Sequence, residues 1–424
     1  MKDEKLSLMP RLRFPEFRDA GDWIKIKLRD LGKLIPGLTY SPEDVKEEGL
    51  LVLRSSNVQD GNIVLNDNVF VRSDIKGANL SKPGDILICV RNGSKPLIGK
   101  NALIPEGLPS CTHGAFMTAF RSKNPEFVYQ LFQTAFYKKQ VAADLGATIN
   151  SINGKNLKRY EFFIPRSEGE RQKIADCLSS LDALIAAQAD KIHALKTHRN
   201  GLMQQLFPRE GETVPRLRFP EFRNAGNWEK LPLGDIVGFM SGGTPSKDRA
   251  EYWGGDIPWV SAASMHEISI DRSDRNITQS AVDDGARIIP KGTLLILVRG
   301  SMLHKRIPIG ITACEVAFNQ DVKALRMKSE LSEEFILHLL ISSEARLLCA
   351  VSGTGIGAGK LDTSELEEFL ICVPEMKEEQ QRVANCLSSL DAMIAAHTEK
   401  LDFLKTHKRG LMQQLFPSPG VAGV

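Results

Sequence analysis

Glu170–Pro208 reads ERQKIADCLSSLDALIAAQADKIHALKTHRNGLMQQLFP, and Glu379–Pro417 reads EQQRVANCLSSLDAMIAAHTEKLDFLKTHKRGLMQQLFP. The two stretches align without a gap and share 26 of 39 positions. Neither contains a proline before its last residue. Core-type positions alternate in steps of four and three: Ile174, Leu178, Leu181, Ile185, Gln188, Ile192, Leu195, then Leu202 and Leu206. The second copy repeats them as Val383, Leu387, Leu390, Ile394, His397, Leu401, Leu404, Leu411 and Leu415. That spacing predicts a long helix with one narrow apolar seam, as a coiled coil requires. Each helix would span roughly 50–55 Å. A seam this narrow forms no core alone, and the chain supplies a partner helix of matching length. The polar pair Gln188 and His397 is expected to face across an antiparallel seam and fix its register. Arg199 and Lys408 interrupt the seam near the helix ends, where long side chains are expected to reach water.

A second repeat marks where each half begins. PRLRFPEFRDAGDW at 10–23 returns as PRLRFPEFRNAGNW at 215–228. The chain is therefore a tandem duplication of opening segment, variable middle and long helix. Two units of about 200 residues are too few and too large for a solenoid. They imply an internal pseudo-two-fold axis instead. Trp23 and Trp228 are expected to anchor each opening segment to its domain. The middles, about Trp23 to Pro165 and Trp228 to Pro374, have diverged further but keep common landmarks. In each, short apolar strands bounded by Gly, Pro and Asn are followed by a helix pattern, at 125–139 and 332–348. These features predict compact α+β domains. The expected division is a domain at 1–165, a long helix at 166–208, a second domain at 209–374, a long helix at 375–417, and a disordered tail at 418–424.

Composition narrows the class. The 424 residues are 42% hydrophobic, without an apolar run long enough to span a membrane, and the charged N-terminus lacks a signal segment. A cytoplasmic location is the expectation. Seven scattered cysteines form no CxxC pair, and Cys177 and Cys386 read as packing residues. The net charge of +3 permits nucleic-acid binding without arguing for it.

The loops of the middles carry the functional signal. In the first middle the candidates are Thr39, Tyr40, Arg54, Ser55, Ser56, Asn57, Arg91, Asn92, Ser94, Lys95, Thr148, Asn150, Asn153 and Lys155. In the second they are Thr244, Ser246, Lys247, Ser261, Ser264, Arg299, Ser301, His304, Lys305, Arg306, Thr354 and Lys360. Arg pairs bidentately with guanine edges, Asn with adenine, and Ser, Thr and Lys hold phosphates. A solvated turn accounts equally well for any one of these residues. The set, at equivalent places in two related domains, suits a DNA reader. His113 and Asn319-Gln320 could touch bases, but each reads more simply as a satisfied turn residue. GTGIGAGKLDT at 353–363 invites a phosphate-loop reading and fails it, because Thr354 and Leu361 stand where that motif needs Gly and Ser or Thr. The sequence also lacks HExxH, Gly-x-Ser-x-Gly, clustered metal ligands and the Asp-Pro-Pro-Tyr or Asn-Pro-Pro-Tyr stretch of amino-group methylation. A binding scaffold fits better than an enzyme.

Two diverged domains, each followed by a near-identical helix ending in GLMQQLFP, resemble the specificity subunit of type I restriction-modification systems. The paired PRLRFPEFR openings and the Cys-Leu-Ser-Ser-Leu-Asp-Ala helices resemble that family's repeated regions. The resemblance implies two target recognition domains, each reading half of a bipartite, asymmetric target on double-stranded DNA. It implies an antiparallel coiled coil that sets the gap and docks methyltransferase subunits, expected to number two, with restriction/translocase subunits joining them. It implies no cofactor of the chain's own; S-adenosylmethionine, ATP and Mg belong to the partners. The rival readings are a nucleotide-dependent enzyme using the loop at 353–363, and a specificity subunit of another DNA-modification defence complex.

Overall fold

The computed structural model describes residues 9–145, 150–328, 330–353 and 357–417. The chain divides into two compact units that do not follow its linear order. Unit 1 comprises Met1–Ala189 with Glu399–Val424, and unit 2 comprises Asp190–Thr398. Each unit therefore holds one α+β domain, the first half of the long helix that follows it, and the last half of the other long helix. The tail at 418–424 lies outside the described residues.

The two long helices run Glu168–Leu206 and Lys377–Leu415, within two residues of the sequence reading at each end. Ile174, Leu178, Gln188, Ile192, Leu206, Val383, Leu387 and Leu415 are buried, and the remaining seam positions are half-buried. Leu181, Ile185, Leu195, Leu202, Leu390, Ile394, His397, Leu401, Leu404 and Leu411 make up that second group. Most residues between them are exposed, as a single apolar stripe requires.

Within each unit the paired helix segments are antiparallel. In unit 1, Ile174 and Leu178 share a cluster with Leu411 and Leu415, and Lys408 Nζ donates to Asp182 Oδ1 at 2.5 Å. In unit 2, Leu206 and Met203 share a cluster with Val383 and Leu387, and Arg199 Nη2 donates to Asp391 Oδ2 at 3.1 Å. These contacts correct the expectation that Arg199 and Lys408 reach water. Their side chains are only 9% and 13% exposed, because each meets an aspartate on the partner helix. A cation can stay on a narrow seam when a carboxylate crosses to it.

The repeated opening segment serves the same joint. Arg13 donates through Nε and Nη2 to Glu170, at 2.8 and 2.7 Å, and Trp23 Nε1 donates to the same carboxylate at 3.3 Å. In unit 2, Arg218 donates twice to Glu379 at 2.7 Å, and Trp228 Nε1 donates at 3.2 Å. Both glutamates are 1% exposed. Each tryptophan also meets a helix-end phenylalanine edge-on, Phe416 at 6.1 Å and Phe207 at 6.2 Å. The tryptophans thus anchor the opening segments as expected, and their partner is a glutamate in the first turn of each long helix.

The domains rest on matching sheets. Unit 1 has Gly32–Pro36, Met117–Ser122, Ile86–Cys89 and Asn101–Leu103 side by side. Unit 2 has Val237–Ser241, Val322–Met327, Leu294–Leu297, Ile309–Thr312 and Ser269–Ile270. In a second sheet of each unit, Leu50–Leu53, buried throughout, or Trp253–Val260, buried at its last two residues, pairs in parallel with Cys111–His113 or Val316–Phe318. The central strands Ile86–Cys89 and Leu294–Leu297 are buried throughout. That is why they read as continuous apolar runs, and why the polar residues after them emerge at fixed places.

Candidate nucleic-acid interface

In unit 1 three loops meet at the ends of these strands. The first is the turn after Leu50–Leu53. Arg54 N donates to Asn57 Oδ1 at 2.9 Å, and Asn57 Nδ2 donates to the carbonyls of Val64 and Asp67 at 3.0 and 3.2 Å. Asn57 is fully buried, so its amide holds the turn and presents no edge to a ligand. Arg54 is partly exposed and paired with Asp67 at 2.7 Å, while the buried Ser56 hydroxyl has no hydrogen-bond partner among the described residues.

The second loop follows Ile86–Cys89. Asn92 Nδ2 donates to Ser55 Oγ at 3.0 Å, and Asn92 Oδ1 accepts from Ser94 N at 2.9 Å. The third loop closes on it. Arg91 and Ser151 form an antiparallel bridge, Asn92 N donates to Asn150 O at 3.4 Å, and Asn150 Nδ2 donates to Gly93 O at 3.4 Å. Ser55, Arg91, Asn92, Ser94 and Asn150 are therefore brought together, with Lys95 exposed on the same loop. Arg91 lies over the ring of Phe116, 5.7 Å from its centroid.

Other candidates in unit 1 have structural work. Asn153 caps a short helix by accepting from Lys155 N at 2.8 Å, leaving Lys155 exposed. Tyr40 packs on a small cluster of Leu38, Leu50, Val52 and Val71, beside the exposed Thr39. His113 is fully buried, with Ser81 Oγ at 2.9 Å and Ile35 O at 3.0 Å on its two ring nitrogens. Burial pushes its pKa down, so it is a neutral core residue rather than a base contact. Thr148 lies outside the described residues, as does Thr354 in unit 2.

Unit 2 repeats the convergence with different side chains. The strand Arg299–Gly300 pairs with Gly359–Lys360, which also pairs with Ser352–Gly353. Gly300 adopts φ +151°, and a Cβ there would sit 3.9 Å from Ala262, so the 261–264 turn lies beside it. Arg299, Ser301 and Lys305 are exposed, and the exposed His304 contacts Gly357 O at 3.2 Å. Arg306 donates to Met265 O at 3.0 Å. Ser264 Oγ is 2.7 Å from Ser273 Oγ, which ties it and the half-buried Ser261 into a turn. Thr244 Oγ1 donates to Gln320 at 2.8 Å, and Ser246 Oγ accepts from Asp248 N at 3.4 Å beside the exposed Lys247. Asn319 is buried against Asp321.

The glycine-bearing loop does not form a phosphate cradle in its described part. Gly359 and Lys360 lie in a strand, a Cβ on Gly359 would meet Leu303 at 2.8 Å, and Lys360 pairs with Asp362. A phosphate loop needs its lysine at a helix N-terminus. Among the described residues no group of three or more His, Cys, Asp or Glu could hold a metal ion, and no helix is long and apolar enough to cross a membrane.

Sequence reasoning missed Phe116, Glu170, Glu379, Asp182 and Asp391. The four acids are identical between the helix copies, a signal that was available. Phe116 is not repeated in the other half and gave none.

The chain is similar to both curated and solved proteins. It aligns with the type I restriction enzyme EcoR124I/EcoR124II specificity subunit of Escherichia coli at 31% identity, over 54% of this chain and 54% of that one. It aligns with the MjaIX specificity subunit of Methanocaldococcus jannaschii at 34% identity, over 42% of this chain and 41% of the relative. The chain thus spans about half the length of these curated relatives or less. The crystal structure of an S subunit from M. genitalium superposes with a TM-score of 0.64 at 18% identity, over 97% of this chain and 100% of that one. Residues 20–197 and 225–406 each match the model of the type I restriction modification DNA specificity domain. Those two stretches make up most of the sequence, and the chain belongs to that family.

Proposed function

We propose that this chain is the DNA specificity subunit of a type I restriction-modification complex, with each α+β domain reading one half of a bipartite, asymmetric target. The observation that carries this reading is the matched loop triad. Equivalent backbone positions present Arg54 and Ser261, Ser55 and Ala262, Asn92 and Gly300, on one shared scaffold. A common scaffold with divergent side chains is what two readers of different half-sites need. The chain acts without catalysis of its own. S-adenosylmethionine, ATP and Mg act on methyltransferase and restriction/translocase partners, which assemble with it on DNA in the cytoplasm.

The long helices serve as spacer and docking element. Their seams use the large residues, and Ala183, Ala186 and Ala187 stay small and exposed beside them. Such a surface lets further helices approach closely.

The test is co-expression with the methyltransferase subunit, followed by mapping of methylated adenines. One split motif, absent when this chain is omitted, is the expected result. Inserting four residues after Lys196 lengthens a helix by about 6 Å, close to two base pairs. The gap between the half-sites should change by that amount. Unchanged spacing would remove the ruler role, and no methylation from a stable complex would remove the specificity role.

A further inference from the structure

Phe116 is 56% exposed beneath Arg91, the residue that opens the loop carrying Asn92 and Ser94. An isolated apolar side chain on a surface needs no explanation, but three observations set this one apart. Its carbonyl accepts from both Val90 N and Arg91 N, at 2.9 and 3.1 Å, so the residue is locked to the end of a buried strand. Its ring lies 5.7 Å from the Arg91 guanidinium, which therefore has an aromatic face on one side. Finally, unit 2 keeps the backbone contact and changes the side chain. Val298 N donates to Asp321 O at 2.8 Å, and the Asp321 carboxylate accepts from Asn319 at 3.2 Å.

Resting on the reading that this domain recognises duplex DNA, we infer that Phe116 and Arg91 act together as a specificity-determining pair. Phe116 receives the C5-methyl of a thymine, and Arg91 takes the O6/N7 edge of an adjoining guanine. The major groove offers one apolar group, the thymine methyl, and guanine alone presents two acceptors that match an arginine fork. An aromatic face beside the guanidinium limits the orientations of that fork and removes water from one side of it. Asp321 offers unit 2 no apolar face, so its half-site carries no thymine read in this way.

The test uses the full chain and a pool of duplexes randomised over 20 base pairs, from which a bound motif is selected. Each thymine of the motif is then replaced by uracil, which deletes only the methyl group. In the wild type, uracil at one position should weaken binding about threefold. Phe116→Ala should bind thymine and uracil equally there. Arg91→Lys should lose about tenfold discrimination for guanine at the adjoining pair. Because the ring is exposed, Phe116→Ala should keep the wild-type melting temperature. A uracil penalty that persists in Phe116→Ala, or a motif indifferent to uracil throughout, overturns the inference and leaves DNA reading intact. Selection of no motif by the wild type overturns both.

Discussion

The two units build one joint from different pieces of chain. In unit 1 the helix end that packs on Trp23 is Phe416 of the C-terminal helix; in unit 2 the end that packs on Trp228 is Phe207 of the central helix. The Arg–Glu–Trp contacts agree between units to about 0.1 Å. The loops at the far ends of the strands share positions and little else. Burial explains the contrast. A carboxylate that is 1% exposed tolerates no change unless its donors change with it. A loop side chain facing solvent is constrained only by what it binds.

The sharpest way to break the equivalence is to remove the carboxylate at the centre of each joint. Glu379→Ala strands Arg218 and the Trp228 indole N–H in a buried site. Loss of one partner of a buried ion pair costs about 3–5 kcal/mol. Glu170→Ala should cost about the same in unit 1. Urea unfolding of the two variants, followed by circular dichroism, checks this. Costs that differ by more than about 2 kcal/mol would mean that the joints are alike in geometry and unlike in energy.

A smaller effect separates the units by pH. Where unit 1 has Gln130, whose Nε2 donates to Asp182 at 3.0 Å, unit 2 has His338, 1% exposed. His338 Nε2 lies 3.0 Å from Ser388 Oγ and its Nδ1 lies 3.9 Å from Asp391. Burial, with the Arg199 charge adding to it, pushes the His338 pKa down to about 4. The unfolded chain takes up that proton near pH 6.5. Stability is therefore fully present above about pH 6.5, and is lost as pH falls from there toward 4. The loss is at most about 3 kcal/mol, because a tenfold change in proton affinity is worth about 1.4 kcal/mol. His338→Gln, the residue unit 1 uses, should flatten that dependence between pH 7.5 and 5. Asp391 is present in both proteins, so the difference isolates the histidine. An unchanged pH profile would assign the acid sensitivity elsewhere.

How much of this was legible depends on whether a residue's role shows in the period of its own stretch of sequence or only in a contact made by folding. The seam was, because Ile174 through Leu206 repeat at a helical period and need only a copy of themselves. Arg199 and Lys408 were misread because their partners, Asp391 and Asp182, sit on the opposite helix in reverse order. Nothing in a local window reveals a charge that crosses a helix pair. Asn57 looked like a site residue because a buried amide and an exposed one have the same letter. The convergence of Ser55, Asn92 and Asn150 was legible only as equivalent loop positions. That they touch follows from the sheet order, which brings distant strand ends together.

Those crossed ion pairs give the smallest and most discriminating comparison. Asp182 and Asp391 are equivalent residues with equivalent partners, but their side chains are 38% and 20% exposed, and their cations 13% and 9%. Solvent screens an exposed pair and leaves a buried one costly to break. Asp182→Asn should therefore cost about 1 kcal/mol, and Asp391→Asn about 2 kcal/mol. Burial also raises the Asp391 pKa, against the lowering effect of Arg199, so the carboxylate is less stabilised than its ion pair suggests. Substituting both partners is the informative control. Asp391→Leu with Arg199→Leu removes both desolvated charges and extends the apolar seam, and should recover most of the loss from Asp391→Asn. If the double variant stays as unstable as the single one, the pair contributes net attraction. If it recovers, the pair's contribution is register, since two leucines would permit helix offsets that a single crossed charge forbids.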